Sequence, residues 1–274
     1  MNNRSSLKSK LVASPYIVWS ALFIIAPLIF VVYYSFTDAA GNFTFENIMS
    51  LSKYAPTFLR SIWFGIVATV ICLLIAFPIA YIISQKTEKV QRTLVMLVML
   101  PMWMSFLIRT YSWMALLQDT GIINNFLGKF GLEPIHMINT SGAVILGMVY
   151  NFLPYMIMPI YSVMAKLDHS MVEACQDLGG NRLTVIRRCI IPMSMPGIVS
   201  GITMVFVPSV STFYISQKLG GGSFDLIGDV IERQFQQSYN YNLGASISLV
   251  LMILILICMA VMNRFSGDEE GMVI

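Results

Sequence analysis

Six stretches of this chain are each long and apolar enough to cross a lipid bilayer, and they decide most of what it can fold into. They run Tyr16–Phe36, Phe58–Ser84, Thr93–Leu117, Gly142–Ala165, Pro192–Ile215 and Leu243–Met262. A hydrocarbon core about 30 Å thick needs about 20 helical residues, because each adds about 1.5 Å. Inside lipid no water meets the backbone, so helical lengths like these must satisfy their own amides. The expected fold class is an all-α polytopic membrane protein with six transmembrane helices. Composition agrees: 57% of residues are hydrophobic and 11% charged, against roughly a quarter charged in soluble domains. Pro154, Pro159, Pro196 and Pro208 lie inside the fourth and fifth runs, tolerable where neighbouring helices satisfy the freed carbonyls.

The same totals exclude several classes. A net charge of +3 gives no footing for nucleic acid. Cys72, Cys175, Cys189 and Cys258 show neither metal-ligand spacing nor a disulfide framework and read as small apolar side chains. His136 and His169 have no partner at ligand spacing. No cofactor or metal is indicated, and no internal repeat or low-complexity segment stands out. The first run follows Arg4, Lys8 and Lys10, and "TDAAG" after it could pass for a weak cleavage site. Its apolar length of about 21 residues exceeds the 7–15 of a signal-peptide core, so an uncleaved span is expected.

Basic residues orient the chain. Arg4, Lys8, Lys10, Lys86, Lys89, Arg92, Lys166, Arg182, Arg187, Arg188 and Arg264 fall on one side. Lys53, Arg60, Lys129, Lys218 and Arg233 fall on the other, eleven against five. The positive-inside rule makes the first side cytoplasmic. Residues 1–15 are then a cytoplasmic segment, 16–57 the first helix and outer loop, 58–262 a core of five helices, and 263–274 a short acidic cytoplasmic tail, expected to be loose.

The cytoplasmic loop 168–191 interrupts this apolar pattern. Met171, Cys175 and Leu178 share one helical face. Ser170 with Glu173 three residues on has the spacing of a capping box. Gly179-Gly180 can supply the left-handed residue that ends a helix. A second helix is expected from about Asn181, with Leu183, Ile186 and Ile190 on one side and Arg182, Arg187 and Arg188 elsewhere. Pro192 then opens the fifth span. From periodicity alone the pair is either a membrane-surface element whose arginines meet lipid heads or a dock for a cytoplasmic partner. Glu173 is either a helix cap alone or also a contact.

"EACQDLGG" followed by "CIIP" resembles the signature loop of bacterial ABC importer permeases: Glu-Ala-Ala, three residues, Gly, nine residues, Ile, one residue, Leu-Pro. Glu173, Ala174, Gly179 and Pro192 match in register; Cys175, Cys189 and Ile191 are conservative departures. "LPMWMSFLIRTYSW", "VYNFLPYMIMPIYSVMAKLD" and "IIPMSMPGIVSG" resemble the spermidine/putrescine subfamily, most of all the first of its two permease subunits. The similarity runs from about the first span to the sixth. It implies a type I (MetI-like) permease fold in the cell's inner membrane. It implies that residues 168–191 form coupling helices seated in an ATPase cleft, with Glu173, Ala174, Cys175, Asp177, Gly179 and Arg182 as the coupling set. The implied partners are a second homologous permease, a dimer of ATPase subunits, an extracytoplasmic polyamine-binding protein and membrane lipid.

The chain carries no GxxxxGK[ST] phosphate loop; "KLGGGS" at 218–223 lacks its Lys-Ser/Thr ending. No enzyme activity is expected, and ATP must be hydrolysed by another chain. No Asp or Glu lies within the six runs, which disfavours a deep anionic site or an ion-coupled carrier. Buried His or carboxylate pairs, which a membrane-embedded enzyme would need, are missing from the runs. An importer of another small solute stays open as the rival substrate reading. Asp225, Asp229 and Glu232 share a face if "DLIGDVIERQF" is helical, either as a solvated face or as an anionic mouth for a cation. Trp103, Tyr111, Trp113, Phe213 and Tyr214, near outer span ends, are either interfacial belt residues or aromatic faces for an ammonium. Arg109, in an apolar run, can snorkel to the interface, pair inside the bundle or structure a gate; it is not expected to be a ligand.

Overall fold

The computed structural model describes residues 15–167, 169–177 and 179–270. Helix α1 spans Pro15–Ser35. A 3-10 turn, Leu51–Tyr54, leads into α2, Ala55–Ser84. Next come α3 Glu88–Met99, α4 Phe106–Leu117, α5 Ile122–Lys129 and α6 Ser141–Met164. Helix α7 is His169–Asp177 and α8 is Arg182–Ser211. The series closes with α9 Tyr214–Gly220, α10 Ile227–Gln236 and α11 Tyr241–Glu270. Among the described residues five helices are long and apolar enough to cross a membrane, six if the bent third segment counts as one.

That third segment departs from the sequence expectation of one span over 93–117. Its two halves, Glu88–Trp103 and Phe106–Lys129, meet at 86°. Pro101 sits in a 3-10 turn, Leu100–Trp103, and Met104 and Ser105 are extended (ψ 146° and 132°), so the hydrogen-bond ladder stops. The fifth run also ends early: Thr212 is extended (ψ 144°), and Tyr214 opens a separate short helix. At the other extreme, α11 stays helical into the acidic stretch expected to be loose, as far as Glu270.

Prolines shape the long helices without breaking them. A widened π turn, Ala21–Ile25, precedes Pro27, and another, Ile186–Ile190, precedes Pro192. In the second, the Ile191 N–H bonds back to the Ile186 carbonyl, five residues earlier. The extra residue per turn makes room for a ring that would otherwise strike the preceding turn.

The chain divides into two packing units. One takes in the chain up to Ala55 together with Val230–Leu254. There α1 and α11 are joined by polar ties at the helix end. Asn242 Nδ2 donates to the Thr37 carbonyl (2.7 Å), and the Ser246 hydroxyl to the Ser35 carbonyl (3.1 Å). Asp38 accepts the N–H groups of Asn42 (2.8 Å) and Ala40 (2.9 Å). The Asn42 bonds, first backbone and then side chain, hold the exposed Asp38 carboxyl below its ordinary range.

The other unit comprises Pro56–Asp229 and the chain from Ile255. Its core is helix against helix on small residues. Ala68, Cys72, Ala76 and Ala80 recur every fourth residue of α2, all fully buried. The Cys72 thiol reaches the Val149 carbonyl of α6 (3.8 Å). Helices α6 and α8 pack through Gly197 and Gly201, where backbone lies against backbone. Lipid gives apolar helices no hydrophobic reason to associate, so close approach through small residues supplies the energy. Thr140 caps α6 by accepting the Ala143 N–H (3.2 Å).

Candidate functional site

The 168–191 loop is built from α7, a glycine turn and the first turns of α8. Gly179 has φ +82°, the left-handed conformation glycine adopts without penalty. Its N–H donates to the Gln176 carbonyl (2.9 Å), and the Gly180 N–H reaches back to the Cys175 carbonyl (3.1 Å). These paired bonds form a Schellman ending, which satisfies carbonyls the helix leaves open. Asn181 starts the next helix: its Oδ1 accepts both the backbone N–H and the hydroxyl of Thr184, each at 2.8 Å. From Arg182 the backbone runs helically into the fifth span. The second small helix expected in this loop is therefore the inner end of α8, continuous with the fifth span through the π turn Ile186–Ile190. At the other end of the loop, the Tyr161 hydroxyl of α6 donates to Gln91 Oε1 of α3 (2.9 Å).

The inward face of the loop differs from the one read by periodicity. Val172 and Cys175 of α7 and Val185, Ile186 and Ile190 of α8 turn to the core. Met171 and Leu183 do not; they are 53% and 73% exposed. Leu178 and Asp168 lie outside the described residues. Helix α7 is described from His169, one residue before the Ser170 start expected. Of the expected coupling set, Glu173, Ala174, Asp177, Gly179 and Arg182 are exposed, and Cys175 is half-buried. The exposed side thus carries two large apolar side chains, a small alanine between them in sequence, and charges of both signs.

At the opposite end of α8 the expected pathway residues separate into groups. Tyr111 of α4 and Tyr214 of α9 meet edge to face, ring centroids 6.2 Å apart. Phe213, at the break before α9, is 40% exposed. Trp103 stands apart and is largely exposed in the 3-10 turn before the break. Trp113 packs on Tyr150, centroids 5.3 Å apart. The expected acidic face does not form as drawn. Asp225 precedes α10, which starts at Ile227. Asp229 is buried; Oδ1 accepts the Ser216 hydroxyl (2.9 Å) and Oδ2 the Leu226 N–H (2.8 Å). It ties the start of α10 to α9 and is not presented to an open mouth. Glu232 is half-buried. His136, partnerless in the sequence reading, has its Nδ1 2.9 and 3.1 Å from the two Asp119 oxygens.

Arg109 does not snorkel. It is buried, its guanidinium 6.0 Å from the Phe106 ring centroid, and Nε and Nη1 have no hydrogen-bond partner among the described residues. Each unpaired donor costs about 1–3 kcal/mol. Arg109→Met is therefore expected to keep or raise the melting temperature of the purified transporter. A fall of several degrees would mean that the assembled complex supplies the acceptors.

A groove of about 560 Å³ also runs along α6 and α8, lined among others by Met102, Tyr155, Met158, Pro159 and Met204. Sequence reasoning missed it, although Pro154, Pro159 and Pro196, which line it too, were its signal.

Long apolar helices able to cross a bilayer, with an exposed helical loop ahead of α8, define a polytopic membrane protein. Residues 2–266 match the family described as binding-protein-dependent transport system inner membrane component, and the chain belongs to that family of inner-membrane permeases. Within it, the chain is 38% identical over 234 residues to the spermidine/putrescine transport system permease protein PotB of Haemophilus influenzae, covering 81% of each chain. It is 37% identical over 227 residues to PotB of Escherichia coli strain K12, covering 79% of this chain and 82% of the other. Among solved structures, a chain of a bacterial ABC transporter that imports the acidic polysaccharide alginate superposes with a TM-score of 0.77. At 18% identity over 97% of this chain and 96% of that one, it is a likeness of fold.

Proposed function

We propose that this chain is one of two homologous permease subunits of an ATP-driven polyamine importer. The observation that carries the reading is the 34–38% identity to spermidine/putrescine permeases over about four-fifths of the chain. The chain supplies half of the translocation path, with residues 58–262 as its core. ATP is hydrolysed by a separate pair of ATPase subunits seated on the loop 168–191, which faces the cytoplasm. Glu173, Ala174, Asp177, Gly179 and Arg182 lie at that contact, with Met171 and Leu183 as its apolar anchors. Closure of the ATPase pair pushes α7, and the push passes along the unbroken α8. The second permease covers surface that this chain leaves bare: the apolar window of α1 buries none of its residues within the chain. An extracytoplasmic binding protein delivers the polyamine to the opposite face.

The test is uptake of radiolabelled spermidine by the complete complex in proteoliposomes. Uptake is expected only with both internal ATP and external binding protein. A complex that hydrolyses ATP in response to its binding protein yet carries no polyamine would remove the substrate assignment. Replacing Leu183 with Asp is expected to cut copurification of the ATPase at least tenfold, the scale of losing one buried apolar anchor. Full copurification would place the ATPase elsewhere.

A further inference from the structure

We propose that Tyr111 and Tyr214 form a receptor for a primary alkylammonium group, and that Lys218 of the same chain fills it while no substrate is present. The inference rests on the polyamine reading above and deepens it. Lys218 Nζ lies 5.5 Å from the Tyr111 ring centroid and 5.7 Å from that of Tyr214. Both fall within the roughly 6 Å at which a ring face attracts a cation. The two rings stand nearly perpendicular, at 85°, and Phe106 adds a third ring 5.9 Å from Tyr214. Tyr214 and Lys218 are one turn apart on α9, so their proximity alone would be ordinary. Tyr111 comes from a different helix, α4, and converges on the same ammonium. No ion pair to Lys218 is seen among the described residues, so the two tyrosine side chains, rings and hydroxyls together, are what hold its charge.

The chemistry names the ligand. Beyond its Cα a lysine is four methylenes ending in an ammonium, the same aminobutyl group that ends putrescine and one arm of spermidine. A receptor that seats Lys218 therefore seats the end of a polyamine. It is also reachable: Tyr111 is 45% exposed, and Tyr214 and Lys218 are half-buried. It lies at the end of α8 remote from the 168–191 loop. An arriving polyamine replaces one ammonium with another, so the aromatic faces keep a cation throughout, and Lys218 swings out towards water.

Lys218→Met keeps the length and apolar stem of the side chain and removes the competing charge. In the reconstituted complex it is expected to lower the KM for ATP-driven putrescine uptake about three- to tenfold, since substrate no longer has to displace an occupant. Tyr214→Leu should raise KM by a similar factor, and adding Lys218→Met to it should give no further gain. Lys218→Arg, which keeps a cation in place, should leave KM at or above the wild-type value. An unchanged or higher KM in an assembled Lys218→Met complex would overturn the proposal. If that variant does not assemble, Lys218→Gln is read in the same way. A wild-type complex that imports no polyamine overturns the importer reading itself. A working wild type with an unmoved KM in Lys218→Met overturns the receptor alone.

Discussion

Gly179→Asp is expected to leave the chain in the membrane at its normal level and to cut ATP-driven uptake tenfold or more. The left-handed backbone at Gly179 (φ +82°) costs a residue with a side chain about 1–2 kcal/mol, least for Asn and Asp. Beyond its two chain neighbours, no atom of the described residues lies within 4 Å of where its Cβ would stand, so the substitution meets no steric barrier among them. A penalty of that size on an exposed turn does not unfold a bundle whose core lies elsewhere. Any large loss must therefore come from whatever covers the loop. A carboxylate at the centre of a close-packed contact loses packing and is desolvated without a partner, and each 1.4 kcal/mol is a factor of ten in affinity. Gly179→Ala isolates the backbone cost and should retain much more uptake. Normal uptake by Gly179→Asp, with the chain present in membranes, would show that nothing docks there.

Most of the spans were legible because a bilayer imposes a length and a polarity that few other structures need. The third segment escaped for a physical reason. A hydrophobic run reports what a residue can be buried in, not whether its ladder of hydrogen bonds continues. The local signal, Pro101, sits a few residues ahead of the actual break at Met104 and Ser105. The coupling loop was legible in its ends, Gly179 and Asn181, since caps are local chemistry. It was not legible in its faces. With apolar residues at Met171, Val172, Cys175, Leu183, Val185 and Ile186, periodicity offers more than one stripe, and only packing decides that Met171 and Leu183 turn outward. The sequence marks Tyr111 and Tyr214 only as separate aromatic faces; that they share one lysine depends on helices distant in the chain. Asp229 shows the opposite error. Spacing set it beside Asp225 and Glu232, whereas the Leu226 N–H and the Ser216 hydroxyl take up its carboxylate.

Glycine at another place in the same chain should behave in the reverse way. Gly197→Leu is expected to remove the protein from the membrane, whatever the state of the coupling loop. A Cβ at Gly197 would stand 2.8 Å from the Pro159 carbonyl oxygen and 3.1 Å from the Ile160 Cα, and both are backbone atoms that cannot rotate aside. One turn on, a Cβ at Gly201 would meet the Met156 sulfur at 2.7 Å and the Met156 carbonyl oxygen at 3.2 Å. The thioether can move; the carbonyl has to give by a few tenths of an ångström. Overpacking of this kind costs roughly 1–3 kcal/mol and more where backbone must part, against a total stability of only about 5–15 kcal/mol. Separating α6 from α8 also removes the close contact that associates helices in lipid. The expected order of membrane level and melting temperature is wild type, then Gly201→Ala, then Gly197→Leu with little or no folded protein. Gly179→Asp should stay near wild type in both measurements while failing in uptake. A Gly197→Leu chain that accumulates and melts like the wild type would mean that α6 and α8 do not approach through their backbones, and the unbroken path from the loop through α8 into the membrane would lose its anchor.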